Sequence, residues 1–445
     1  MQPSNRPVSV AIPTATIDTA ELRVGMFVHL DLTWMAHPFA LSSFRIASAR
    51  QIETIRSLGL AKVRWSPEQS DSAVTAPPSS PAPLAASAAA APIARESAAA
   101  PAPTTEQRAR AERRDLLTTQ RAAVELCQRQ YIEASRGWRQ ATDQALQDPQ
   151  GAGRGMGALS QALVDKMLGT RETCIRVLAE TGSDRASHAL NVGVISLLLG
   201  KLCGLVETDL QDLGVGALSH DIGKIALPHR VHRAGDSFTP AEHALYREHV
   251  ARGVDLGRRM GLTPGALLVI AQHHEHCDGS GFPMALGINR LSVASRLVAL
   301  VNRYDNLCHP SLPSLAVTPH EALSLLFAQS KNLFDATLLT SFVRMMGVYP
   351  PGSVVQLTDD RFALVDSVNS SRPLKPRVLV HDMRVPRDEA LLLNLDQQPT
   401  LGIRRSLPSE QLPPEALDYL RPPQRASWFF DEASDEPPER SGPRH

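Results

Sequence analysis

The sequence predicts a mainly α-helical protein, a helical bundle with a small α/β module ahead of it and a small β appendage behind. Three observations carry that expectation. Between Ala158 and about Met346 one helical pattern follows another, with starts at Thr239-Pro240-Ala241-Glu242, Thr263-Pro264 and Thr318-Pro319-His320-Glu321. The first and last of these combine a Thr N-cap, Pro at the first helical position and Glu at the third. Short β-type runs flank the helical stretch, and 445 residues exceed what one compact core usually holds, so two or three domains are expected.

In chain order, residues 1–16 are expected to be disordered, and the α/β module occupies 17–70. It opens on ELRVGMFVHLDL, a strand with a turn at Gly25. Ala49 to Leu58 forms a short helix by its Ile52, Ile55 and Leu58 spacing, and AKVRW is a closing strand. His29 and His37 are expected to be ordinary surface or core residues. From Asp71 to Thr104, 21 of 34 residues are Ala or Pro. So little can be buried there that ordering entropy is not offset, and the stretch is expected to be a tether. Residues 105–157 form a helical connector whose Val124, Cys127, Tyr131, Ala134 and Trp138 make one apolar stripe that packs on the next domain. GAGRGMG (151–157) is expected to break that helix; it lacks the Lys-Ser/Thr and preceding strand of a phosphate loop. Residues 158–348 are the helical domain, and 349–385 a β appendage built from SVVQL, FALVDSV and PRVLVHD. An irregular extension with a disordered tail is expected over 386–445.

Lys+Arg and Asp+Glu each total 46, so the net charge is zero, which argues against a generally basic DNA binder or a polybasic membrane-surface protein. The longest apolar stretch, Val192 to Leu199, is too short to span a bilayer, and the N-terminus lacks the apolar core of a signal peptide. A cytoplasmic protein is expected. The five cysteines include no C-x-x-C pair, which fits a reducing compartment without a thiolate metal site. Of the 15 histidines, nine fall between His188 and His276, and a metal site is to be sought there.

Five pieces of the helical domain carry candidate ligands: Asp184 with His188 on one helix face, the adjacent His220-Asp221, His249, the pair His273-His274, and Asn302 with Asp305. Imidazoles and carboxylates delivered from several helices into a bundle core are how a helical protein builds a two-metal centre. The mixture of His and carboxylate without thiolate points to Fe or Mn ahead of Zn. Lys224, one turn beyond His220-Asp221, projects beside the metals; it either steadies a scissile phosphate or is a solvated helix-end lysine. The glycines of HCDGSGFP (His276 to Pro283) allow close backbone approach to a ligand.

With these motifs in this order, LSHDIGKIALP and HHEHCDGSGFP above all, the sequence resembles the HD-GYP phosphodiesterases from about Asp184 to Leu357. ELRVGMFVHLDLTWMAHPF also resembles an uncharacterised module that often precedes HD-GYP domains. The resemblance implies an HD-type helical bundle holding two or three Fe or Mn ions, and hydrolysis of cyclic di-GMP to pGpG and in many members GMP. It assigns His188, His220, Asp221, His249, His273 and His274 to the metals, with Asp221 bridging. Asp221 and Lys224 are then the catalytic residues, and Lys224, Gly281 and Phe282 face the substrate. Asn302 stands where the last aspartate ligand belongs. Asp184 stands where members with a third metal carry Glu, and Phe282 replaces a tyrosine. The family's basic DRPYR-type segment is here CHPSLPS, with no Arg or Lys.

Three activities follow from this set of matches and departures: a cyclic di-GMP phosphodiesterase, a degenerate HD-GYP protein that binds nucleotide or protein partners without turnover, or a phosphohydrolase for another nucleotide. The completeness of the His/Asp set favours the first. Protein partners or a homo-oligomer would be reached through the N-terminal module or the helical connector.

Overall fold

The computed structural model describes residues 15–32, 43–46, 49–70, 104–170, 172–178, 184–232, 238–329 and 332–432. Residues 1–14, residues 71–103 of the tether expected over 71–104, His37 and the segment after 432 lie outside these residues, while Ala15 and Thr16, expected to be disordered, belong to a strand. The chain divides into two compact units, Met1–Arg108 and Ala109–His445.

In the first unit, β1 (Ala15–Asp18), β2 (Phe27–His29), β3 (Ser43–Arg45) and β4 (Lys62–Ser66) form an antiparallel sheet in the order β1-β4-β2-β3. Helix α1 (Ala49–Ser57) lies between β3 and β4 in sequence and buries Ile52 and Ile55 in a core with Leu22, Met26, Val28, Ile46 and Val63. The 3/4 spacing of the helix and the alternation of the strands thus meet in one small core. Gly25, at φ 96°, makes the turn that leads into β2. His29 sits in this sheet with Nε2 2.8 Å from Ser66 Oγ.

The second unit opens with two long helices, α2 (Thr105–Gln144) and α3 (Pro149–Gly169). The apolar stripe of α2 is buried at Cys127, Tyr131, Ala134 and Trp138. Trp138 Nε1 donates to the Leu218 carbonyl at 2.8 Å, bracing the turn that carries His220. The expected break at GAGRGMG does not occur, because α3 runs through it. Asp148 caps the helix by accepting from Gly151 N at 2.9 Å. A Cβ on Gly153 would lie 2.0 Å from the Met260 carbonyl, so the glycine serves close helix packing instead of a turn. Tertiary contact here overrides low helix propensity.

The bundle continues with α4 (Asp184–Leu202), α5 (Glu207–Ser219), α6 (Pro240–Arg259), α7 (Pro264–Gln272), α8 (Val293–Cys308), α9 (Pro319–Gln329) and α10 (Ala336–Met346). The three expected starts are present: Thr239 makes a full capping box with Glu242, Thr263 accepts from Ala266 N at 3.2 Å, and Thr318 and Glu321 bond reciprocally. Helix α4 is apolar nearly all round and is the central helix, with Val192, Ile195 and Leu199 buried. No helix among the described residues is long and apolar enough to cross a membrane.

The β part is larger than expected. A strand, β5 (Thr173–Leu178), interrupts the helical run, with all six residues buried. It joins β6 (Val354–Leu357), β7 (Phe362–Asn369), β8 (Arg377–Val380), β9 (Leu392–Asn394), β10 (Ile403–Leu407) and β11 (Ser427–Glu432) in a seven-stranded sheet. Helix α11 (Pro414–Leu420) covers part of it, burying Ala416 and Leu420 against Leu364 and Leu407. The segment expected to be irregular beyond 386 therefore builds three strands and a helix. Its last strand pairs with β5 in full register from Ser427↔Leu178 to Glu432↔Thr173. Arg176, buried in β5, is neutralised by Asp366 of β7 and Asp431 of β11, fastening the strands to one another.

Candidate metal centre

The ligand-type side chains are brought to one place by helix ends. His188 projects from the first turns of α4. His220 and Asp221 follow the end of α5, and Lys224 lies in the 3-10 helix Ile222–Ala226 that comes next. His249 projects from the middle of α6, and His273 and His274 leave the end of α7. The small residue of the HDIGK run explains how α6 comes so near: a Cβ on Gly223 would lie 2.0 Å from the His249 carbonyl and 2.4 Å from Gly253 N. No other residue allows that approach.

Asp221 is at the centre. Its Oδ2 lies 3.6 Å from His188 Nε2 and 3.5 Å from His220 Nε2; its Oδ1 lies 3.5 Å from His249 Nε2 and 3.6 Å from His273 Nε2. Two ligand-like groups result, one of Asp221, His249, His273 and His274, the other of His188, His220 and Asp221. Four of the five imidazoles have their other nitrogen engaged. His220 Nδ1 donates to the Ala217 carbonyl (2.7 Å), His249 Nδ1 to Tyr246 (2.6 Å), His273 Nδ1 to Ile270 (2.8 Å), and His188 Nδ1 to Asp305 Oδ2 (2.6 Å). The Nε2 atoms are thereby left as lone pairs, all facing the oxygens of one carboxylate. His188 Nε2 and His220 Nε2 stand 3.1 Å apart and His249 Nε2 and His273 Nε2 3.2 Å apart, each pair without a proton to share. Asp221 Oδ1 is buried without a hydrogen-bond partner. Lone pairs and anionic oxygens do not converge in a buried site unless cations complete it, so these residues fit a pair of metal ions with Asp221 between them.

The electrostatics agree. Burial pushes His220 and His249 down to about 3 and His274 well below the usual imidazole range, keeping them neutral and able to ligate. Burial opposes ionisation of Asp221, but the charge of Lys224 outweighs it and holds the carboxyl well below its usual value. Lys224 Nζ donates to Asp221 Oδ2 at 2.6 Å and lies 5.2 Å from the centre of the Tyr246 ring. Burial alone would lower the ammonium's pKa, but Asp221 beside it outweighs burial and raises it, so Lys224 stays charged. It is a partly buried ion-paired group and not a solvated helix end.

Phe282 stacks on His274, ring centres 4.5 Å apart at 21°, and lines the cavity. Gly281 belongs to the same loop, next to Phe282. A Cβ there would lie 2.4 Å from Glu275 Cα, so the glycine lets the loop fold back on the His273-His274 turn. Glu275, buried, accepts from the amides of Met284 (2.6 Å) and Leu286 (2.8 Å) and holds the loop in place. Asn302 is buried at the cavity wall, and its Oδ1 accepts from Asn306 Nδ2 at 2.7 Å. The Asp184 side chain lies outside the described residues.

Three groups were not foreseen. Asp305, a candidate ligand by its place one turn after Asn302, instead orients His188 and also accepts from Asn191 Nδ2 (2.7 Å) and His309 Nδ1 (2.9 Å). The cavity is also lined by Arg425, Ala426 and Ser427, from the chain just before and at the start of β11. The positive charge missing from CHPSLPS is present at other positions: Arg185, Arg303 and Arg425 line the same cavity of about 860 Å³. Only the spacing of Asp305 from Asn302 and His309 offered a sequence signal, and it did not distinguish ligand from orienting group.

Comparison with known proteins bears on this geometry. A family model described as an HD domain matches residues 172–338, which contain every ligand-type residue above. The chain carries an HD domain. Ahead of it, residues 14–152 match a domain of unknown function, DUF3391, which therefore takes in the small module, the Ala/Pro-rich stretch and α2 together. The HD-domain match begins at residue 172, beside the start of β5. The chain is 27% identical over 194 residues to the cyclic di-GMP phosphodiesterase PA4108 of Pseudomonas aeruginosa, covering 43% of this chain and 47% of that protein. It is 30% identical over 164 residues to the cyclic di-GMP phosphodiesterase response regulator RpfG of Xanthomonas campestris, covering 36% of this chain and 42% of that protein. It is also 30% identical over 130 residues to the 3'3'-cGAMP-specific phosphodiesterase 2 of Vibrio cholerae, covering 29% of this chain and 24% of that protein. The chain spans less than half the length of each of these relatives.

Proposed function

We propose that the HD domain is a metal-dependent phosphodiesterase that hydrolyses cyclic di-GMP to pGpG, with two divalent ions, Fe or Mn, as cofactors. The observation that carries this reading is the set of four imidazoles whose tautomers are fixed so that their Nε2 lone pairs meet the two oxygens of Asp221. His188 and His220 would hold one ion, His249, His273 and His274 the other, with Asp221 shared. Bound there, the metals would activate water and draw charge from the phosphate oxygens. Lys224, kept charged by Asp221, is placed to steady a non-bridging oxygen of the scissile phosphate. Phe282, stacked on His274 with the Arg247 guanidinium 5.0 Å from its ring centre, lines the cavity beside the centre. Arg185, Arg303 and Arg425 supply the positive charge that a dianionic dinucleotide needs. The names of the relatives support cyclic dinucleotides as the substrate class.

A second reading is a nucleotide-binding module without turnover. Asn302 favours it: its carbonyl oxygen is engaged by Asn306, which leaves the His188 half-site with three protein donors. The deciding experiment is cyclic di-GMP turnover by protein purified without oxygen and loaded with Fe(II) or Mn(II), beside the His220→Ala/Asp221→Ala double variant. Turnover that disappears in the variant supports the enzyme. Stoichiometric metal with no turnover supports the binding module.

A further inference from the structure

Resting on the proposed activity, we infer that Arg425 is a substrate-binding residue that holds the phosphate of the cyclic dinucleotide not being cleaved. A cyclic dinucleotide carries two phosphates on opposite sides of its ring. When one sits at the metals beside Lys224, the other must lie elsewhere in the same cavity and remains anionic. A cation is required there, and the segment after α8, CHPSLPS, has none.

Among the arginines of the cavity, Arg185, Arg230 and Arg303 are exposed, whereas Arg425 is half-buried. A partly desolvated guanidinium makes stronger charge-assisted bonds to phosphate than an exposed one. Its backbone is also fixed. The next residue, Ala426, donates its N–H to His309 Nε2 at 3.0 Å and accepts from Asn191 Nδ2 at 3.1 Å. Trp428 N donates to Asn191 Oδ1 at 2.9 Å, and the strand pairs with β5 from Ser427 onward. Asn191 and His309 both bond Asp305, the carboxylate that orients His188. Arg425 is thus carried on a rigid wall on the His188 side of the centre, one residue from the network that sets a metal ligand. The wall comes from a segment that lies outside both domains matched by the family comparison.

The test uses the full chain loaded with Mn(II) and two substrates: cyclic di-GMP, and bis(4-nitrophenyl) phosphate, which has one diester phosphate and no second. Arg425→Ala is expected to lower kcat/KM for cyclic di-GMP about tenfold to a hundredfold, chiefly through KM. That fall should exceed the fall for the single-phosphate substrate at least tenfold, and Arg425→Lys should recover part of it. Equal losses on both substrates, no loss on cyclic di-GMP, or loss of bound Mn in Arg425→Ala would overturn the inference. If the wild-type chain turns over neither substrate, the proposed activity fails, and equilibrium binding decides this inference separately. A cyclic di-GMP Kd weakened about tenfold or more by Arg425→Ala sustains it. A wild-type chain that binds no cyclic di-GMP ends it.

Discussion

The two halves of the centre share Asp221 and differ in almost everything else. The half built on α6 and α7 has His249, His273 and His274 besides Asp221, with Phe282 packed against it. The half built on α4 and α5 has only His188 and His220 besides Asp221, and Asn302 beside it gives its oxygen to Asn306. What it has in addition is outside the ligand set: Asp305 orients His188, and Asn191 and His309 tie Asp305 to the C-terminal strand. One half is defined by its donors and the other by what supports them. The consequence is that the second half should be the weaker and the more sensitive to changes away from the metal.

The comparison can be broken most severely at the shared residue. Asp221→Ala should abolish turnover and metal binding in both halves; retention of one tightly bound ion, measured by metal analysis after dialysis, would show that the halves do not depend on a common bridge. Next in size, Asp305→Ala should weaken metal at the His188 half about tenfold to a hundredfold while the His249 half keeps its ion. Metal content falling from two per chain towards one would show this, and an even loss from both would contradict it. Acid should act on both halves. His220 and His249 are held down to about 3 from 6.5, so folding costs them protons they would bind in the unfolded chain. The metal-free protein should then be at full stability above about 6.5 and lose it progressively as pH falls from there towards 3, visible as a falling Tm. The smallest effect expected is a gain: Asn302→Asp returns an anionic oxygen to the weaker half and should raise its Mn affinity several-fold, with no change at the other.

How much of this was legible in the sequence follows the same division. In the His249 half, Asp221 and the pair His273-His274 lie in short runs, HDIGK and HHEHCDGSGFP, whose local order already carries them, and His249 lies on the helix whose start Thr239-Pro240 marks. The support of the His188 half depends on pairings between distant residues. Nothing near Thr173–Leu178 marks it as the partner of Ser427–Glu432, because strand pairing is a property of two segments and not of either. The Pro-rich stretch before Ser427 therefore looked like loose chain, and Arg425 went unnoticed. The glycines of α3 misled for a related reason: their value lies in the space they leave for Met260, which periodicity does not reveal.

The pairing of β5 with β11 also orders events during synthesis. The ribosome completes the matched HD domain at residue 338 and must add the chain to 432 before β11 exists. At roughly 5–20 residues per second that is an interval of about 5–20 s. Throughout it the nascent helices carry their histidines without the strand that braces Asn191 and His309. A chaperone or an early metal ion would meet the centre in that half-walled state, and the cavity acquires the rest of its lining only when the last strand slides into place.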